Sequence, residues 1–195
     1  MKNYLAFDLG ASNGRAILGQ FDGEKITMKE LHRFENNYVE MNGVFYWDTP
    51  YLYSQLKAGL LKFKQGGFGD LDAFGIDTWG VDYGLLDKNG HLCGVPRSYR
   101  LGTQEDIDAV KAIIPAEVLY RRSGIDTSLT FNTLYQLYRR KREQDAALEI
   151  ADTLLLTPDL LGYFLTGAKG TEYTIATTTQ LVNASTGDWD WDTIE

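Results

Sequence analysis

The chain opens on a short apolar run, Tyr4-Leu5-Ala6-Phe7, that stops at Asp8 and gives way to the turn-forming cluster Gly10-Ala11-Ser12-Asn13-Gly14. A second apolar-rich run from Arg15 to Phe21 reaches Asp22-Gly23, a hairpin signal, and Lys25 to Phe34 returns with Ile26 and Met28 alternating. The pattern predicts three consecutive antiparallel strands. A short strand is expected near Val44-Phe45-Tyr46-Trp47. Asp48 or Thr49 then caps a helix with Pro50 in its first turn, running to about Lys64 with Leu52, Leu56, Leu60 and Phe63 at helical spacing. Gly66-Gly67-Phe68-Gly69 stops it. Ala73 to Asp77 reads as a strand, Gly80 to Leu86 as a second apolar run, and Asp87-Lys88-Asn89-Gly90 as a turn. Helical patterns follow at 104–114, 115–122 and 133–148. Leu154-Leu155-Leu156 reads as a short buried strand, and a helix starts at Thr157-Pro158-Asp159 and ends near Thr166 before Gly167. Strands first, then mixed helices and strands, predict an α/β domain with a mixed sheet, opening β-hairpins and flanking helices. The opening hairpins exclude a purely parallel doubly wound sheet.

Length and composition narrow the function more than the fold. A chain of 195 residues is about one domain, long enough to bury roughly 70% of its unfolded surface. The single cysteine excludes a disulfide framework and a cysteine zinc cluster, and the two histidines, His32 and His91, lie far apart. No apolar run approaches the roughly 20 residues of a membrane span, and Asp8 comes too early for a signal peptide. A cytoplasmic chain without a membrane partner is the expectation. With 19 basic and 27 acidic residues the net charge is −8, which argues against nucleic-acid binding. The basic run Tyr138-Arg139-Arg140-Lys141-Arg142 is therefore read as a solvated helix face. An acidic chain still binds a nucleotide when local N–H groups, a few side chains and Mg²⁺ hold the phosphates.

Gly10 to Gly14 suits such a site, for a tight turn of this kind exposes backbone N–H groups beside the Asp8 carboxylate. It lacks the Gly-Lys-Ser/Thr ending of a Walker loop and the third glycine of the dinucleotide fingerprint. It does match the Gly-x-Ser-x-Gly elbow of serine hydrolases around Ser12. That elbow needs a helix directly after the serine, and two glycines and a hairpin signal fill the next stretch instead. A second cluster, Gly75-Ile76-Asp77-Thr78-Trp79-Gly80-Val81-Asp82-Tyr83, repeats the scheme of apolar run, polar turn and apolar run. Trp79 sets an aromatic face beside hydroxyl and carboxylate groups, a common way to hold a sugar. A core tryptophan flanked by surface carboxylates is the competing reading. His91 and Cys93 share one face if that stretch is a strand, yet nothing there orients or activates a thiolate.

These stretches carry a resemblance. Asp8-Leu9-Gly10-Ala11-Ser12-Asn13-Gly14-Arg15, Trp47-Asp48, Asp77-Thr78-Trp79-Gly80-Val81-Asp82, Phe131-Asn132-Thr133-Leu134-Tyr135-Gln136, Pro158-Asp159 and Thr177-Thr178-Thr179-Gln180-Leu181-Val182-Asn183 resemble, in order and along nearly the whole chain, the N-terminal part of the FGGY carbohydrate kinases. The likeness is nearest to the branch acting on L-rhamnulose. It implies an RNase H-like, actin-like ATPase fold and ATP-dependent phosphorylation of L-rhamnulose at its 1-hydroxyl. Asp8 would hold Mg²⁺ through water. Gly10, Ala11, Ser12, Asn13, Gly14 and Arg15 would face the phosphates of ATP. Thr78, Trp79, Gly80 and Asp82, with Arg100, Asn132 and Tyr135, would form the ketose site. One departure bears on the sugar: family members tend to carry a further Arg-Thr pair after Tyr-Arg, whereas Tyr99-Arg100 is followed here by Leu101-Gly102-Thr103. L-Fuculose and D-xylulose therefore stay open as substrates, as does a non-catalytic, actin-like nucleotide- or partner-binding module.

The family's catalytic base, an Asp following a His, has no counterpart: His32 precedes Arg33 and His91 precedes Leu92. The Gly-rich adenine-binding segment is also missing. The expectation is that residues 1–195 are a truncated N-terminal, sugar-binding domain with no catalytic base, inactive alone. Apolar surface around Trp189 and Trp191 would then be exposed, or covered by self-association with a neighbouring copy.

Overall fold

The computed structural model describes residues 1–195. Alternation in the first strands sets the frame. β1 (Lys2–Leu9) turns Leu5, Phe7 and Leu9 to one face, and β2 (Asn13–Phe21) turns Ala16 and Leu18 to the same face. β3 (Ile26–Glu35) completes the meander. A separate hairpin follows, β4 (Tyr38–Met41) with β5 (Val44–Trp47), and then α1 (Thr49–Gln65). The Asp48 carboxylate accepts from the N–H of Tyr51 and Pro50 occupies the first turn, so the helix starts where the sequence places it. Leu52, Leu56 and Phe63 of α1 pack on the sheet face. Gly59 lets helix and sheet approach, since a Cβ there would come within 2.8 Å of Ala16 and Phe7.

The chain then returns through β6 (Ala73–Thr78), which pairs parallel to β1 and gives the mixed sheet order β3-β2-β1-β6. β7 (Tyr83–Leu86) departs into a second layer. There follow a 3₁₀ turn (Tyr99–Leu101), α2 (Gln104–Lys111), α3 (Ala116–Ser123), α4 (Thr133–Arg142) and α5 (Ala146–Glu149). β8 (Thr153–Leu156) pairs antiparallel with β7, and α6 (Thr157–Thr166) carries Leu161 back onto the main core. α7 (Tyr173–Thr177), the small hairpin β9 (Val182–Asn183) with β10 (Asp188–Trp189), and α8 (Trp191–Ile194) close the layer.

Three expectations change. The predicted helix over 133–148 breaks into α4 and α5, because Gln144 takes a φ of 53° and the Asp145 carboxylate caps the N–H of Ala147. The basic run is not a plain solvated face: Arg140 is buried against Asp145, and Arg139 reaches Asp106 and the carbonyl of Leu101. Trp189 packs between two apolar clusters, whereas Trp191 stays 59% exposed. Ser12 leads into β2 rather than a helix, so the hydrolase elbow is absent. No helix of the structure is long and apolar enough to cross a membrane.

Candidate active site

The register of β1 with β6 sets Asp8 beside Asp77 and Leu9 beside Thr78. Two parallel strands thus end together, and the loop after each leaves from the same edge of the sheet. Ligands in α/β folds gather at such carboxyl ends.

The loop after β1 is shaped by its carbonyls. The N–H of Gly10 donates to the carbonyl of Asn13 at 2.8 Å. Asn36, 1% exposed, donates its Nδ2 to the carbonyl of Gly10 at 2.7 Å and its backbone N–H to the carbonyl of Ser12 at 3.0 Å. With these carbonyls held, the N–H groups of Ala11 and Ser12 donate to no protein acceptor. That is the donor set an anion needs. Gly14 is required because a Cβ would overlap the Phe34 ring. Asp8 and Arg15, opposite one another in the hairpin register, form an ion pair with both side chains 39% exposed. A phosphate-bearing nucleotide with a hydrated divalent cation fits these groups: free N–H donors, a carboxylate at the strand end and a neighbouring guanidinium.

The loop after β6 opens on a cavity of about 430 Å³ lined by Trp79, Gly80, Val81, Tyr99, Phe131 and Asn132 among others. Its wall is unusual backbone. Val81 has a φ of 67°, a conformation β-branched residues avoid, and the N–H of Asp82 donates to the carbonyl of Gly80 across it. Three side chains hold this turn: Thr178 accepts from the N–H of Val81, while Thr133 and Gln136 donate to its carbonyl. Thr78 donates to the carbonyl of Trp79 at 2.8 Å.

Asp82 lies behind this wall and is 1% exposed. One carboxylate oxygen accepts from the indole N–H of Trp47 at 2.5 Å and from that of Trp79 at 2.9 Å, and the other accepts from Gln136 at 3.2 Å. The two indole rings stand 4.1 Å apart between centroids. Asp82 therefore sets the angle of Trp79 and does not itself line the cavity. Burial pushes its carboxyl up to about 6, against the lowering effect of these donors. Because the folded value exceeds the unfolded one, the folded state holds the extra proton between them. The contribution of Asp82 to stability is complete below about pH 4 and declines as pH rises through about 6. Asp82→Asn cannot titrate. The stability gap between the wild type and this variant should therefore narrow from about pH 4 to about pH 7, by a few kcal/mol at most. Asp159, also raised to about 6 by burial, is common to both proteins and cancels. Thermal melts across that range check this, and a gap independent of pH contradicts it.

Tyr135 is buried, and its hydroxyl donates to the carbonyl of Thr127 at 3.0 Å. Arg100 lies outside the cavity, its guanidinium stacked on Tyr38 and Tyr99 and donating to the Tyr99 hydroxyl at 3.1 Å. The Leu101-Gly102-Thr103 stretch has structural work. Gly102 abuts the backbone of Thr130, and Thr103 caps α2 in a reciprocal pair with Asp106. Of the residues expected to hold a sugar, Trp79, Gly80 and Asn132 share the cavity, Thr78, Asp82 and Tyr135 support it, and Arg100 touches it only through Tyr99. Sequence reading missed Asn36 and the bracing roles of Trp47, Gln136 and Thr178. A tryptophan that seeks an acceptor for its N–H is the one local signal among them. Burial pushes the Cys93 thiol up, opposite to what a nucleophile needs.

The anion-suited loop and the cavity lie at neighbouring strand ends, and the chain belongs to the FGGY family of carbohydrate kinases, whose N-terminal domain matches residues 3–195. Among its relatives, the rhamnulokinase of Mannheimia succiniciproducens is 46% identical over 191 residues, covering 96% of this chain and 39% of that protein. The rhamnulokinase of Halalkalibacterium halodurans is 44% identical over 195 residues, covering 99% of this chain and 41% of that protein. The ligand-bound xylulose kinase of Lactobacillus acidophilus superposes with a TM-score of 0.86 at 16% identity, over 100% of this chain and 39% of that one. The gluconate kinase from the same organism also gives 0.86, over 99% and 39% of the two chains. The fold is thus that of the actin-like sugar kinases, and the chain spans about two fifths of the length of the relatives it matches.

Proposed function

We propose that residues 1–195 form the ketose-binding and phosphate-facing part of an ATP-dependent kinase that phosphorylates L-rhamnulose at its 1-hydroxyl. The supporting observation is the parallel register of β1 with β6, which sets the phosphate loop and the sugar cavity on neighbouring strand ends. The choice of L-rhamnulose rests on the rhamnulokinase relatives. Bound MgATP supplies the phosphoryl group and neutralises charge on it. The chain's own residues position. Ala11 and Ser12 offer N–H donors, and Asp8 offers a carboxylate that would hold Mg²⁺. Arg15 balances charge at the loop base. Trp79 stacks on a C–H face of the sugar, with Gly80 and Asn132 on the same cavity wall. The group that accepts the proton of the attacking hydroxyl is proposed to lie outside these residues.

The test is ADP release by the full-length protein with L-rhamnulose, L-fuculose and D-xylulose, and by residues 1–195 alone. The expected result is a kcat/KM for L-rhamnulose at least about tenfold above the other two, and no turnover by residues 1–195. Preference for another ketose, or turnover by the isolated 195 residues, would overturn this reading.

A further inference from the structure

Gln180 is 1% exposed and holds a φ of 65°, an uncommon conformation for any residue but glycine. Such strain persists only where the surroundings over-determine the backbone. They do so here. The carbonyl of Thr179 accepts from the N–H of Leu134 at the start of α4, and the Thr179 hydroxyl accepts from the N–H of Leu181. The side chain fixed in this way meets two others. Its Oε1 accepts from Nδ2 of Asn132 at 2.8 Å. Its Nε2 makes no well-formed hydrogen bond and lies against the hydroxyl of Tyr135.

With the Tyr135 hydroxyl donating to the carbonyl of Thr127, these contacts run in one direction. The carbonyl of Thr127 can only accept, so Tyr135 spends its single proton there. The Tyr135 oxygen can then only accept, and it faces the amide nitrogen of Gln180. The amide oxygen of Gln180 must face Asn132, which turns its Nδ2 inward, and the carbonyl of Asp126 takes a second, longer bond from that nitrogen at 3.5 Å. Burial, which pushes the Tyr135 hydroxyl up to about 12, keeps it a donor throughout the physiological range. The Oδ1 of Asn132 receives no protein donor, and Asn132 lines the cavity.

We propose that Gln180 is a positioning residue that dictates which end of the Asn132 amide faces the cavity, presenting Oδ1 as an acceptor for a sugar hydroxyl. This rests on the ketose reading above. It goes beyond that reading in assigning polarity: at this point the cavity demands a hydroxyl donor and disfavours a sugar that lacks one.

Gln180→Gly isolates the side chain, for glycine adopts the same φ without strain and keeps the backbone. In the full-length protein this variant should still melt cooperatively, a few degrees below the wild type, because the relieved φ strain offsets only part of the cavity and the lost Asn132 bond. Its KM for L-rhamnulose should rise about tenfold and its KM for ATP stay unchanged, the cost of losing one oriented hydrogen bond. Gln180→Glu keeps the acceptor and should bring the ketose KM back to within about threefold of wild type. An unchanged ketose KM in a folded Gln180→Gly variant overturns the inference. Should that variant lose its cooperative melt, Gln180→Glu decides: a ketose KM about tenfold higher at unchanged melting temperature also overturns it. A wild-type protein that phosphorylates no ketose sinks the kinase reading instead, so the two failures are distinct.

Discussion

Asp82→Ala lowers the unfolding free energy by about 2–6 kcal/mol, the cost of leaving two buried indole N–H groups without an acceptor. The carboxylate is the acceptor for Trp47, Trp79 and Gln136 at once. Each donor left without a partner in the interior costs about 1–3 kcal/mol. Gln136 keeps acceptors for both of its N–H groups in the carbonyls of Val81 and Phe131, so the loss falls on the two indoles. The Asp82 backbone stays in place, its carbonyl held by Thr157, so the damage comes from the side chain alone. Urea unfolding followed by tryptophan fluorescence measures it directly, since two of the reporting indoles are those released. A loss below about 1 kcal/mol would show that the indoles find other acceptors.

Asp8→Asn acts in the opposite way. The Asp8–Arg15 pair is exposed enough that its loss costs at most about 1 kcal/mol of stability. If the proposed role holds, kcat of the full-length protein should however fall by about 10²–10⁴-fold with ketose affinity unchanged, because the charge proposed to position the cation at the phosphates is removed. Steady-state kinetics with a parallel binding measurement separates the two. A variant that keeps more than about a tenth of the wild-type kcat would remove Asp8 from the proposed machinery. Together the variants contrast a residue that shapes the site with one that operates it.

Much of this was legible in local sequence because local chemistry decides it. Asp48-Thr49-Pro50 starts α1 by capping and by a pre-set φ, and Gly66 ends it; both are properties of a few neighbouring residues. The glycine loop, and the polar turn at Asp77 to Asp82, announced themselves by residue types that strand interiors avoid. What stayed hidden depends on distant partners. Asn36 looks like any loop asparagine until the fold brings it under Gly10 and Ser12. Arg139 and Arg140 look like surface charge until Asp106 and Asp145 meet them. Gln180 carries no local sign that its amide governs Asn132, 48 positions away along the chain. Asp82 reads in the sequence as a polar group at a sugar site, yet its position behind Trp79 depends on Trp47 arriving from another hairpin.

The pairing of β1 with β6 also governs how the protein comes into being. The meander of β1, β2 and β3 closes through short turns, whereas β6 joins β1 only after an excursion that includes β4, β5 and α1; the Asn3–Asp72 bond beside it links residues 69 apart. Long excursions make closure slow relative to hairpin formation. The hairpin loop after β1 can therefore take shape while the cavity after β6 does not yet exist. The second half of the site reaches its register only when β6 closes on β1.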